Sequence, residues 1–330
     1  MAILGHPAGA VDPAIDTTVA EAVRQGLTQS PKRLPSWLLY DAEGSRLFAD
    51  IMHLPEYYLT RAEYEILEQY QDDFLRAFQP DEKPFRLVGL GSGDGLKTKI
   101  LLEHFRSRQA RFTYVPVDIS GEALRQLTAD LRERWPDLVV EPVEDDYVKA
   151  LSNLPKRPAG TRQVVLFLGS NVGNFTPEEA LYFYRELYRN LQPGDLVVSG
   201  FDLQKHPAII HAAYNDEAGL TRAFNLNLLH RLNRELGADF DLAAFDHYET
   251  YFPETGEARS YLVSCPAHRV YLKALDLTVS FEAGEIIHTE ISRKFSRAGI
   301  EQLAAESGFR ITAWLTDNRG YFAEVIFEVV

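Results

Sequence analysis

Residues Phe85–Leu102, FRLVGLGSGDGLKTKILL, join an apolar strand pattern to a helical one through the alternate glycines Gly91, Gly93 and Gly95. Glycine has no Cβ and reaches positive φ without strain, so such a loop turns sharply and comes close to a ligand at the N-terminus of the next helix. This is the form of a nucleotide-cofactor loop. The spacing is GxGxG followed by Leu96 and Lys97, which departs from the GxGxxG dinucleotide fingerprint. An ordinary strand-to-helix turn has the same appearance, so a second feature is needed.

Tyr114–Ser120, YVPVDIS, supplies it as a second strand ending in Asp118, 25 residues after Gly93. An acidic residue there, roughly 20 residues beyond the loop, is placed to accept hydrogen bonds from a ribose diol. Asp118 and Ser120 also precede the helical run Glu122–Arg134, and a helix N-cap is the competing role. In Val140–Tyr147, VEPVEDDY, Asp146 is placed for an adenine amino group and Tyr147 for the ring face, although acidic loops are often just solvated.

Across 330 residues, 45% hydrophobic content is enough for a sizeable core in one large domain or two small ones. The net charge of −14 argues against nucleic acid or an anionic membrane as partner, since phosphates are bound through clustered Lys and Arg. The single cysteine, Cys265, forbids an intrachain disulfide and makes a cytoplasmic setting the economical expectation. The first residues, MAILGHPAGAVDPAID, show no signal peptide, and no apolar run reaches spanning length. His206 and His211 are five apart, off one helical face, and no metal site is expected.

From Phe85 to about Leu203, strand patterns at 86–90, 112–117, 138–142, 163–168 and 195–201 alternate with helical ones. Such alternation predicts a parallel sheet with helices on both faces. Before it, Ala20–Gln29, Ser45–Met52 and Arg61–Phe78 have helical periodicity, with an irregular segment around Tyr57 and Tyr58. After it, His206–Leu236 looks helical, and 240–251, 258–262 and 268–279 read as strands of an inserted antiparallel unit. The chain returns near Ile286–Phe295, forms a helix at Arg297–Ser307, and closes with a strand at Tyr321–Val330. Two lobes follow, with a ligand cleft between them as the default expectation.

Six blocks occur in order: LLYDAEGSRLF, LPEYYLTRAEYEIL, GSGDGLKTKILL, FLGSNVGNFTPEEA, AAYND and IHTEISRKFS. Together, from about Pro31 to Phe322, they resemble the SAM-dependent amino-acid Nα-methyltransferases of the ergothioneine-pathway histidine type. The resemblance implies an α/β fold: a class I methyltransferase (Rossmann-like) sheet with a smaller α+β substrate domain. The implied divisions are 1–62 and 206–290 for the substrate domain, and 63–205 and 291–330 for the SAM-binding domain. It implies S-adenosylmethionine contacts at Gly91, Gly93, Lys97, Asp118, Asp146 and Tyr147. On the amino-acid side it implies Tyr57 and Asn174 toward the α-amino and carboxylate groups, and Tyr214 toward the carboxylate. Glu290 and Ser292 would face the imidazole, and Tyr40 would lie close to the reacting amine. Tyr40, Tyr57 and Asn174 are thus the expected catalytic residues, in a monomer that methylates the α-amino group of free L-histidine to the trimethylated betaine.

Two positions depart from the family pattern. Gly89 stands where an acidic residue often precedes the loop, and Tyr261 stands where the histidine enzymes carry a methionine beside the substrate. A tyrosine makes that pocket smaller or more polar, which leaves another aromatic amino acid or a histidine derivative as an alternative substrate. Packing also explains Tyr57 and Tyr214 taken singly, a turn explains Asn174, and a solvated face explains Glu290. More distant alternatives are a SAM-binding module without turnover and an NAD-dependent oxidoreductase. The glycine spacing and the lack of a hydride-transfer His–Asp pair speak against the latter.

Overall fold

The Phe85–Leu90 strand is buried along its whole length and pairs in parallel with Phe112–Asp118 on one side and Arg162–Phe167 on the other. The computed structural model describes residues 16–154 and 157–330. The leader expectation for the first residues therefore falls largely outside the described part. Arg162–Phe167 pairs in parallel with Leu196–Asp202, and Phe322–Val329 then adds antiparallel to Leu196–Asp202. Phe309–Thr316 completes that edge, while the short strands Val139–Val140 and Val143–Glu144 lie beside Phe112–Asp118 at the other.

Strand residues alternate between two cores, as the pleat requires. Val88 and Leu90 join Phe183, Leu187, Ile300 and Ala304 on one face, from the helices Pro177–Asn190 and Arg297–Ser307. Phe85 and Leu87 join Ile66, Phe74, Leu102 and Leu131 on the other. This is the class I methyltransferase arrangement. Chain order reverses between Phe85–Leu90 and Arg162–Phe167, and ligands of open α/β sheets bind beyond the strand ends at such a switch point.

The chain forms two compact units. The first consists of the segment ending at Tyr58 and of His206–Ser292; the second consists of Leu59–Lys205 and Arg293–Val330. In the first, Phe245–Phe252 and Glu257–Ser264 form an antiparallel hairpin, followed in the sheet by Ile286–Arg293. Lys32–Arg33 adds to Ile286–Arg293 in parallel, so this sheet is mixed rather than purely antiparallel.

Three sequence readings are refined, and one strand was not anticipated. Arg61–Phe78 is two helices, Tyr58–Gln69 and Gln71–Phe78, divided at Tyr70, whose backbone leaves the helical region. His206–Leu236 is also two, Pro207–Tyr214 and Leu220–Leu236, because the Asp216 carboxylate accepts the Leu220 and Thr221 N–H groups, each at 2.8 Å, and starts a second helix. Residues 268–279 form a hairpin of His268–Leu272 and Leu277–Phe281, turning through Asp276 at φ 44°. The Phe309–Thr316 strand went unread because a bulge between Ile311 and Ala313 breaks its alternation.

Candidate active site

In the second unit the glycine loop is held in left-handed conformations: φ is 66° at Gly91, 51° at Gly93 and 67° at Gly95. A Cβ on Gly91 would stand 2.9 Å from the Tyr147 hydroxyl, whereas one on Gly93 would meet nothing within 4 Å. The loop thus packs on one side and stays open on the other, the form of a cradle for a ligand. Asp118 Oδ2 accepts the Gly93 N–H at 2.9 Å and Oδ1 accepts the Ser120 N–H at 2.9 Å. The N-cap of the following helix is Ser120, whose hydroxyl accepts from Ala123, and so Asp118 shapes the loop instead. Gly89 also has a local reason: a Cβ there would press on the Ser92 and Tyr114 hydroxyls at 3.0 Å each, so a larger residue requires both to give way.

Tyr147 opens the helix Tyr147–Asn153 and packs its ring on Phe167 at 5.4 Å between centroids; burial pushes its phenol up to about 12. Asp146 is half-buried, accepts the Lys149 N–H at 3.0 Å and pairs with the Lys149 ammonium at 2.8 Å. Lys97 Nζ lies 2.5 Å from Glu63 Oε2, and Glu63 Oε1 accepts the Gly169 N–H at 2.5 Å. Sequence reading missed Glu63, because one acid in the helical run LTRAEYEIL reads as a solvated face. Asn174 ends the turn Asn171–Asn174, and the Gly173 beside it leaves no space for a Cβ, which would stand 2.9 Å from the Arg293 carbonyl.

In the first unit an aromatic chain links residues distant in sequence. The Tyr40 ring lies 5.5 Å from Phe48 and 5.3 Å from Phe224, Phe48 lies 6.0 Å from Tyr57, and Tyr57 lies 6.1 Å from Tyr214. The Tyr214 hydroxyl is 2.9 Å from the Ser292 hydroxyl. Tyr57, Tyr214 and Ser292 are buried, while Tyr40 is 38% exposed. Strand alternation puts His288, Glu290 and Ser292 on one face of Ile286–Arg293, opposite the buried Thr289 and Ile291. Tyr261, on the neighbouring strand, lies 5.3 Å from the His288 ring. Phe48, Phe224 and His288 were not singled out from the sequence, because an isolated apolar or aromatic residue reads as core. Asn174 belongs to the second unit with the loop residues, while the other amino-acid-side residues belong to the first.

The model of the histidine-specific, SAM-dependent methyltransferase family matches residues 19–329. The chain belongs to that family. Among relatives of this methyltransferase, a histidine N-alpha-methyltransferase of Mycolicibacterium smegmatis is 41% identical, covering 91% of each chain. One of Mycobacterium tuberculosis is 38% identical over the same shares. An L-tryptophan methyltransferase of Psilocybe serbica is 24% identical, covering 91% of this chain and 90% of its own. Membership sets aside the dinucleotide oxidoreductase. The loop of this methyltransferase fits SAM on its own geometry, with an open face at Gly93, a carboxylate at Asp118 for ribose hydroxyls and an ammonium at Lys97 for a carboxylate. No described helix is long and apolar enough to cross a membrane, and no described His, Cys, Asp and Glu cluster suits a metal.

Two histidines of the methyltransferase's first unit are held neutral. Burial, ahead of nearby Arg33 and Arg259, pulls His288 down to about 4, and burial pulls His247 down to about 4 against the charge of Asp246 and Asp216. A neutral His288 adds no positive charge to the face that carries Glu290.

Proposed function

We propose that this methyltransferase acts on the α-amino group of free L-histidine and carries it to the trimethylated betaine, hercynine. The observation that carries the reading is the linked set Tyr57, Tyr214 and Ser292, with Glu290 on the same strand face as Ser292. Glu290 accepts a hydrogen bond from an imidazole N–H and Ser292 serves the other nitrogen. Tyr214 holds Ser292 in place and faces the substrate carboxylate, while Tyr57 and Asn174 take the α-amino and carboxylate groups. Gly91, Gly93, Lys97, Asp118, Asp146 and Tyr147 hold the cofactor.

When bound, SAM supplies a methyl group on a sulfonium, an electrophile that needs no covalent enzyme intermediate. The protein's task is to present a neutral amine. An α-amino group is largely protonated at neutral pH and must first lose its proton. Tyr57 and Asn174 fix the amine through uncharged groups, so that no ion pair holds the proton in place, and the partly exposed Tyr40 hydroxyl offers a path to water. As methyl groups accumulate, the Tyr40 and Tyr57 faces stabilise the growing cation. In the same reading the protein works as a cytoplasmic monomer, a setting that suits its single, exposed cysteine.

Replacing Glu290 with Ala tests the assignment. The histidine KM is expected to rise about 10- to 100-fold through loss of a charged hydrogen bond, with the calorimetric Kd for SAM unchanged. Unchanged histidine kinetics contradict the role. A second reading, methylation of another aromatic amino acid, is favoured by Tyr261, whose ring lies against His288 and reshapes that end of the first unit's sheet.

A further inference from the structure

We propose that Glu63 is a positioning residue of the cofactor site, fixing the Lys97 ammonium and the Gly169 turn in one arrangement, with Glu324 as its buried support. The inference rests on the reading of Lys97 as a SAM contact. Lys97 follows the loop at the end of Phe85–Leu90, and Gly169 follows the end of the neighbouring strand Arg162–Phe167. One carboxylate, 1% exposed and contributed by the helix Tyr58–Gln69, ties both strand ends together. Gly169 suits this role twice: its φ is 81°, and a Cβ there would press to 3.3 Å from Lys97 Nζ.

Glu324 explains how the cluster carries its charge. It lies on Phe322–Val329 with no exposure, opposite Gly200, where a Cβ would stand 3.0 Å from Glu324 Oε1. Neither of its buried carboxyl oxygens finds a donor, which an ionised carboxylate could not sustain. As a neutral acid it adds no second negative charge beside Glu63. Burial first, and then the charge of Glu63, push the Glu324 carboxyl well above the usual carboxylate range. One anion, one cation and one neutral acid then balance. Lys97 has three N–H donors, and those not taken by Glu63 remain for an anionic ligand group.

The charge states separate the two acids experimentally. Glu63→Gln removes the anion that holds Lys97, whereas Glu324→Gln preserves the shape and neutrality of its partner. Calorimetry with S-adenosylhomocysteine is expected to show Kd raised ~10- to 30-fold in Glu63→Gln, the loss of a charged hydrogen bond. Glu324→Gln is expected to stay within ~3-fold of the wild type, since it keeps a neutral side chain of the same shape. In turnover, Glu63→Gln is expected to raise the SAM KM and leave kcat at saturation nearly unchanged. A Glu63→Gln protein with lowered thermal stability and normal Kd would show a purely structural role and overturn the proposal. Should Glu63→Gln not fold, Glu63→Asp keeps the charge and shortens the reach, and a normal Kd in it overturns the proposal equally. Lys97→Ala is the control: normal affinity there overturns the cofactor reading of Lys97, whereas weak affinity there with normal Glu63→Gln removes only the positioning role.

Discussion

The two units of this methyltransferase assemble their candidate site residues from different materials. In the second unit, backbone does much of the work: three left-handed glycines, the Gly93 N–H on Asp118 and the Gly169 N–H on Glu63. In the first unit, side chains far apart in sequence meet, such as Tyr214 and Ser292, 78 residues apart. A backbone cradle suits a cofactor common to many reactions, because side-chain replacement barely alters it. A side-chain pocket suits a substrate that differs between relatives, since single replacements retune it. The chain's relatives, a histidine N-alpha-methyltransferase at 41% identity and an L-tryptophan methyltransferase at 24%, fit this division.

The largest effect expected from breaking the contrast is at Gly91. Gly91→Ala places a Cβ 2.9 Å from the Tyr147 hydroxyl at φ 66°, and about 1–3 kcal/mol of backbone strain plus that clash should raise the SAM Kd on the order of 100-fold. Histidine-side substitutions should leave that Kd alone, and a SAM defect in Glu290→Ala would break the division. A smaller effect is expected from Tyr261→Met, which should change the ratio of kcat/KM for histidine against tryptophan by ~10-fold, the scale at which apolar pocket contacts discriminate. An unchanged ratio would remove Tyr261 from the specificity determinants.

The smallest effect is one of pH, with opposite signs in the two units. His247 and His288 stand near 4 when folded against 6.5 unfolded, so the unfolded chain takes up protons first on acidification. Their stabilisation is complete above 6.5 and is lost as pH falls toward about 4. By about pH 5 each should cost the first unit on the order of 1 kcal/mol after screening. Glu324 works the other way: its raised pKa favours the fold at low pH, and that contribution fades as pH rises above 4.5. Hydrogen exchange at neutral and mildly acidic pH should show the hairpin Phe245–Phe252/Glu257–Ser264 losing protection on acidification while Phe322–Val329 holds. Equal loss in both would contradict the assignment.

What could be read from the sequence follows the same division. The glycine loop, Asp118 and the alternation around Phe85–Leu203 were legible because backbone requirements leave local marks. The Phe309–Thr316 strand was not, since its bulge shifts the pattern, nor was the hairpin over 268–279, whose turn at Asp276 uses no glycine or proline. Glu63 and Glu324 stayed hidden because their partners come from other elements and only burial distinguishes them from solvated acids. Tyr57, Tyr214, Glu290 and Ser292 were named only through the resemblance, since each alone has an ordinary structural reading. Phe48 and Phe224, which connect Tyr40 to Tyr57, have no local signal at all.

The most direct measurement is mass spectrometry of reactions containing SAM and, in parallel, each of the twenty amino acids. Addition of one, two and finally three methyl groups to histidine, with the other amino acids unmodified, is the predicted result. Trimethylation of a different amino acid, with histidine untouched, would contradict it.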